Sequence, residues 1–313
     1  MQSQRAMGET LDCCNTSRDL LHRLVAEGLG PLQAAVESGD RSLPRFVIEE
    51  LRRYTTCGDP RGGFGWLVCD TCRHHRLVPF SCKGRGFCPS CGGRRMAARA
   101  ARWVDHLLPR VAVRQVLGGR PYRLPPRCAS CDGYSLHAGV AIGARDRKGL
   151  ERLCRYIARP PLAKSRLETR EDGTVVIRLK QPWADGTGAI QLSRLELMER
   201  LAALVPPPRK NQVLYHGVLA PRAAWREEIV PKRKLRSDHE HAQAIIRPGC
   251  ASRRSRWMLW STLLKRVFEV DGFECPTCDQ PMRLQAVVLP PATLRVLDGL
   301  ERACRGPPQQ GAA

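Results

Sequence analysis

The chain has 313 residues, enough for two modest domains and at least one hydrophobic core, and only 5% are aromatic, so that core has to be mainly aliphatic. Lys and Arg number 52 against 30 Asp and Glu, and the net charge of +22 is spread along the whole chain; a field of that kind favours a polyanionic partner over the alternative of a soluble basic enzyme. No stretch approaches the ~20 apolar residues of a membrane span, and residues 1–12 lack the apolar run of a secretion signal, so the expectation is a cytoplasmic, nucleoid-associated protein whose 15 cysteines serve as thiols and metal ligands.

In chain order, residues 20–27 and 32–36 read as short helices split by Gly28, Gly30 and Pro31, and 45–54 as a helix leading to Cys57 and a Gly-rich run. A cysteine cluster occupies 57–91. The next helix, 94–108, places Met96, Ala100, Trp103 and Leu107 on one face and Arg95, Arg99 and Arg102 on another, either a solvated stripe or a row of phosphate contacts. Residues 111–130, broken by Pro121, Pro125 and Pro126, read as an irregular junction. Beyond it, alternation predicts strands at 136–142, 174–180, 189–192 and 212–219. Helices are predicted at 150–158 and from the Ser193/Glu196 capping box to 204. That order, β-α-β-β-α-β, predicts a ferredoxin-like unit. A basic linker precedes an apolar-faced helix at 257–268, a CxxC turn, a strand at 283–288 and a last helix near 292–303.

The strongest chemical signal is the pair Cys69-x2-Cys72 and Cys88-x2-Cys91, separated by 15 residues. Two CxxC turns at that spacing can converge on one cation as a four-cysteine zinc ribbon, and four thiolates leave no open position, which predicts a structural ion. Arg73, Lys83, Arg85 and Arg94 would favour the thiolates; a redox pair is the rival reading. Cys57 and Cys82 flank the ribbon, either as a second half-site or with Cys82 merely buried. Cys128 and Cys131 form a CxxC without an obvious partner. Cys275 and Cys278 form a possible second metal half-site that Cys250 or Cys304 could complete.

Tyr156 shares a helical side with Arg152 and Arg159, and Arg155 lies beside it. A phenol among guanidiniums suits attack on a phosphodiester, because the cations favour phenolate and hold phosphate. The alternative is a tyrosine at the core edge beside solvated arginines. His137 and His216 fall on predicted strands and could approach one another, or could be surface or packing histidines.

The run Phe80-Ser-Cys-Lys-Gly-Arg-Gly-Phe-Cys-Pro-Ser-Cys-Gly-Gly-Arg-Arg95, with the CxxC at Cys69 and the helix before Cys57, resembles the zinc-binding N-terminal domain of rolling-circle insertion-sequence transposases of the IS ninety-one type. Residues 150–161, 178–186 and 215–221, and the tail with Cys275 and Cys278, resemble the later part of the same proteins. The resemblance implies single-strand nicking by a tyrosine that becomes linked to the DNA 5′ end, followed by transfer. Tyr156 matches that nucleophile. The first tyrosine of the two-tyrosine pattern falls at Arg152, as in the single-tyrosine branch. The family's His-hydrophobic-His triplet, which holds Mg²⁺ or Mn²⁺, has no counterpart; the sole His-x-His is His239-Glu240-His241, and a long family segment is missing between residues 121–124 and Gly133.

The whole is thus expected to be α+β. Residues 1–43 form a helical segment, 44–110 a zinc-binding DNA-docking domain, 111–130 a junction, 131–221 a remnant of the catalytic domain, 222–256 a linker and 257–304 a helix-CxxC-helix segment. Lys83, Arg85, Arg94, Arg95, Arg99, Arg102, Arg152, Arg155 and Arg159 are the candidate contacts to single-stranded or hairpin DNA ends. The competing class is a non-catalytic zinc-ribbon DNA-binding protein, a decayed transposase or regulator.

Overall fold

The computed structural model describes residues 19–114, 117–118, 127–131, 134–183, 185–231, 260–269 and 271–305. It is a mixed α+β protein whose sheets are all small. Cys250, His239, His241 and most of the basic linker lie outside the described residues, as do the side chains of Cys128, Cys131, His137 and Cys304.

The first helix, α1 (Leu20–Glu37), is capped by the Asp19 carboxylate, which accepts from the Leu21 N–H. It runs without interruption through Gly28, Gly30 and Pro31, where two helices were expected. The reason is tertiary. Gly28 is buried, and a Cβ there would stand 2.8 Å from Met198 Cγ, so the glycine lets α1 approach α5 (Arg194–Ala203) closely. Helix α2 (Arg45–Tyr54) begins and ends where its periodicity predicts. With α1, α5 and the sheet of β8 (Leu167–Thr169), β9 (Val175–Arg178) and β10 (Ala189–Leu192) it encloses the largest core, built on Leu21, Leu24, Leu51, Phe87, Val175, Leu197 and Met198. The Ser193/Glu196 capping box opens α5 as expected.

A second sheet forms from β1 (Phe64–Cys69), β2 (His75–Pro79) and β11 (Met282–Val288), in the order β11-β1-β2, all antiparallel. Phe64, Leu77 and Val288 are its buried centre, and α8 (Ala292–Arg305) lies on it through Val296, Leu297 and Leu300. The strand near the chain's end is therefore the direct partner of the first strand.

Helix α3 (Pro89–His106) packs against α4 (Arg147–Ile157) through Ala100, Val104, Leu150 and Cys154. The two run antiparallel. Arg147, in the first turn of α4, donates to the carbonyls of Val104, Leu108 and Pro109, supplying partners to orphan carbonyls at the end of α3. At the other end, Gly92 in α3 faces Pro160, just past α4. Helix α7 (Trp260–Phe268) joins this pair through Leu263, which is buried against Ala97 and Ala101.

The ferredoxin-like order is not what the described residues form. The segment at 134–142 splits into β6 (Tyr134–His137) and β7 (Ala141–Ile142). These pair with strands of the expected junction: β6 with β4 (Leu117–Gly118) and β5 (Cys128–Cys131), and β7 with β3 (Val113–Arg114). The strand expected at 212–219 is also missing; a 3₁₀ turn, Gly217–Leu219, ends the segment. Side-chain anchors hold it off the sheet. Gln212 donates to the Arg85 carbonyl, and the Trp103 indole N–H donates to the Tyr215 hydroxyl at 2.7 Å. A four-residue helix, α6 (Arg226–Ile229), follows.

The close approach at Gly28 gives a test of the main core. Gly28→Val forces branched bulk against Met198 and is expected to cost about 1–3 kcal/mol in urea unfolding; a variant as stable as the parent would refute the α1–α5 contact.

Candidate functional site

Two groups of four sulfurs gather in the structure, and neither is the expected set. Cys57, Cys82, Cys88 and Cys91 form one; Cys69, Cys72, Cys275 and Cys278 form the other; in each, the Sγ atoms all lie within 4.8 Å of one another. The predicted ribbon of Cys69, Cys72, Cys88 and Cys91 is thus divided between two sites. Strand geometry explains why. Cys69 ends β1, and β2 returns along it until Pro79 stands opposite Phe64. Five residues of strand carry the chain about 17 Å from the Cys69–Cys72 turn before it reaches Cys82 and Cys88. The completion of Cys275 and Cys278 by Cys250 or Cys304 is likewise replaced, by Cys69 and Cys72.

The first group is assembled by three elements. Cys57 follows the last turn of α2, Cys82 sits in the loop after β2, and Cys88 and Cys91 open α3, with Cys88 as N-cap accepting from the Cys91 N–H. Buried Glu50 on α2 shapes the loop, its Oε1 accepting from the Gly86 N–H at 2.5 Å. Arg95 on α3 holds the other side, donating to the carbonyls of Lys83 and Gly84. The Cys57–Cys88 and Cys82–Cys91 Sγ separations are 3.7 and 3.6 Å. A disulfide would need about 2.05 Å, whereas a tetrahedron with Zn–S near ~2.3 Å has edges of about 3.8 Å. Hydrogen bonds among the thiols, that of Cys57 foremost, pull the Cys91 thiol down and push the Cys82 and Cys88 thiols up, so the remaining protons would leave when a cation binds. In the second group the Cys69 thiol is lowered to about 6, chiefly because the Cys72 backbone N–H donates to its sulfur.

The remaining buried thiol nearby, Cys154, is pushed up to about 11 by burial between α3 and α4 and belongs to neither group. Among the described residues no histidine or carboxylate joins a metal-binding constellation; His216 is exposed at the start of its turn.

Tyr156 lies near the C-terminus of α4 and is 45% exposed, with the Arg159 guanidinium 4.3 Å from its ring centre. Arg152 is exposed and Arg155 half-buried on the same helix. The helix is braced from three sides. Pro160 meets Gly92 one residue beyond Cys91, Arg147 caps α3, and Arg266 on α7 forms ion pairs with Glu151 of α4 and Asp105 of α3, both at 2.6 Å. Sequence patterns gave no hint of Arg266, because its acidic partners lie 115 and 161 residues away. Hydrogen bonding to Asp105 and then to Glu151 raises its already high pKa, so it stays cationic.

The nine candidate DNA contacts divide by environment. Lys83, Arg102, Arg152 and Arg159 are exposed. Arg95 and Arg85 have structural tasks, Arg85 donating to the Lys210 carbonyl. Arg99 is half-buried, and desolvation lowers its pKa; Arg94 and Arg155 are also half-buried.

A family model described as "Transposase zinc-binding domain" matches residues 32–117, and one described as "Putative transposase" matches residues 95–227. No curated protein and no solved structure matches the chain. The group of Cys57, Cys82, Cys88 and Cys91 lies wholly inside the zinc-binding match and has the donor chemistry and spacing for a structural zinc ion. Tyr156 lies inside the other match, while Cys275 and Cys278 lie outside both.

Two measurements follow from the geometry. Cys88→Ser is expected to release the zinc held beside Cys57, Cys82 and Cys91 and to abolish cooperative unfolding of the module around it; metal analysis with thermal denaturation reads this, and a variant retaining both ion and melting temperature would refute the grouping. Arg266→Ala leaves Glu151, whose side chain is 13% exposed, without its cation, and a loss of about 1–2 kcal/mol in urea unfolding is expected. No loss would mean that the ion pairs do not brace α4.

Proposed function

The chain belongs to the insertion-sequence transposases of the IS ninety-one type, with an N-terminal zinc-binding domain, and from that premise we propose that it acts by the rolling-circle route with Tyr156 as nucleophile. As a transposase it binds DNA. The observation carrying the proposal is the setting of Tyr156: an exposed phenol stacked by Arg159, with Arg152 one turn earlier, on a helix fixed against the zinc-bearing helix α3.

In the proposed step the phenol oxygen attacks the scissile phosphorus. The P–O3′ bond breaks, a 5′-phosphotyrosine forms, and the departing 3′ oxygen is protonated. The phenol proton passes to solvent or to a base on the DNA side. Arg159 and Arg152 would hold the non-bridging oxygens as negative charge builds on the phosphate. Lys83 and Arg102 are further exposed cations, and the substrate proposed is a single-stranded or hairpin element end, whose extruded backbone can reach the phenol.

Mg²⁺ or Mn²⁺ would polarise the scissile phosphate, but the described residues present no histidine or carboxylate set to hold it, and His239 and His241 lie outside them. The same observation favours a second reading, in which this copy binds element ends without cutting them, as a decayed transposase or regulator.

The two readings separate in one assay. Purified protein is given a labelled single-stranded element end with Mg²⁺ or Mn²⁺ and resolved under denaturing conditions. A covalent adduct that vanishes in Tyr156→Phe, with DNA affinity changed less than about threefold, supports nicking. Binding without any adduct in either metal leaves the non-catalytic reading.

A further inference from the structure

We infer that the chain holds a second structural zinc ion, bound by Cys69, Cys72, Cys275 and Cys278, which fastens its C-terminal segment to the N-terminal hairpin as the two halves of one split ribbon. Half of this ligand set lies beyond both family matches, and the inference does not rest on the nicking proposal.

The two CxxC turns are built alike. In the first, the Cys69 N–H donates to the His74 carbonyl and the Arg73 N–H to the Cys69 carbonyl, each at 2.9 Å. In the second, the Cys275 N–H donates to the Gln280 carbonyl at 2.8 Å and the Asp279 N–H to the Cys275 carbonyl at 2.9 Å. Both turns place a left-handed residue one position after the second cysteine, Arg73 at φ 59° and Asp279 at φ 56°. Such backbone is uncommon for residues other than glycine, and its recurrence at matching positions turns two pairs of sulfurs toward a common point.

The sulfurs meet there. Cys69–Cys278, Cys72–Cys275 and Cys72–Cys278 are each 3.5 Å apart, far beyond a disulfide and close to a zinc tetrahedron's edge of about 3.8 Å. Cys69 and Cys275 are fully buried with Leu67 and Met282, so their thiolates are screened from water. Around the cluster, Arg283 pairs with Asp70 at 3.1 Å, and β1 pairs with β11 from Phe64↔Val288 to Cys69↔Met282. Four cysteines leave no site open for substrate. The loop closed between Cys72 and Cys275 spans 203 positions, and closing so long a loop is where a metal staple restricts the unfolded chain most.

The test uses the full chain, purified with a thiol reductant. Native mass spectrometry should find two zinc ions, and alkylation mapped by peptide should find the eight cysteines of both groups protected until a chelator is added, Cys275 and Cys278 among them. Cys275→Ser with Cys278→Ser should hold one ion, with Cys57, Cys82, Cys88 and Cys91 still protected; Cys278→His, which keeps a zinc donor, should hold two. A parent chain with one ion and alkylated Cys275 and Cys278, or a double variant that keeps two, overturns the inference. Should the double variant not fold, the ion count and protection map of the parent decide.

Discussion

Four sulfurs at the start of α3 are the constraint on which the rest of the molecule depends. Cys57, Cys88 and Cys91 are buried in the main core, where unpaired thiolates would be costly and thiols alone would add little. A zinc ion turns the cluster into a junction of α2, the loop after β2 and α3. Structural zinc binding is worth about 10–16 kcal/mol, comparable with the whole stability of a typical domain at about 5–15 kcal/mol. The position of α3 is thereby set at its first turn. From there the order propagates by contact: Gly92 meets Pro160, Val104 meets Leu150, and Arg147 binds the carbonyls at the far end. Tyr156 stands on the helix so placed.

The arginines show how one charge excess serves two purposes. Arg95, Arg85 and Arg147 donate to backbone carbonyls and hold loops or helix ends. Arg266 neutralises two carboxylates between three helices. Lys83, Arg102, Arg152 and Arg159 remain exposed, and these suit a phosphate backbone. A count of basic residues on helical wheels cannot tell these groups apart, since the distinction lies in carbonyls and carboxylates contributed from elsewhere in the chain.

Local signals were legible, and distant pairings were not. Helix α2, the Ser193 capping box, the turns at Gly173 and Gly186 and the strand before the last helix all follow from nearby residues. The need for glycine at position 28 depends on Met198, and the loss of the strand after Gln212 depends on Arg85 and Trp103. The cysteines show the same limit. Two CxxC turns at ribbon spacing are closest in sequence, yet the β1–β2 hairpin carries them apart and leaves each to find its partners elsewhere. Cys57 and Cys82 carried a usable signal, lying within 31 positions of Cys88, but spacing alone did not separate ligands from a buried thiol.

Zinc at Cys57, Cys82, Cys88 and Cys91 fixes α3 and, through it, the helix bearing Tyr156. Hydrogen exchange of the Cys275→Ser, Cys278→Ser variant, which keeps this ion alone, with and without a chelator tests it directly. Removing the metal should cost α3 and α4 their protection together, with Arg147–Ile157 exchanging as fast as the first turn of α3. If α4 keeps its protection while α3 loses its own, the tyrosine is positioned independently of the metal and the account fails.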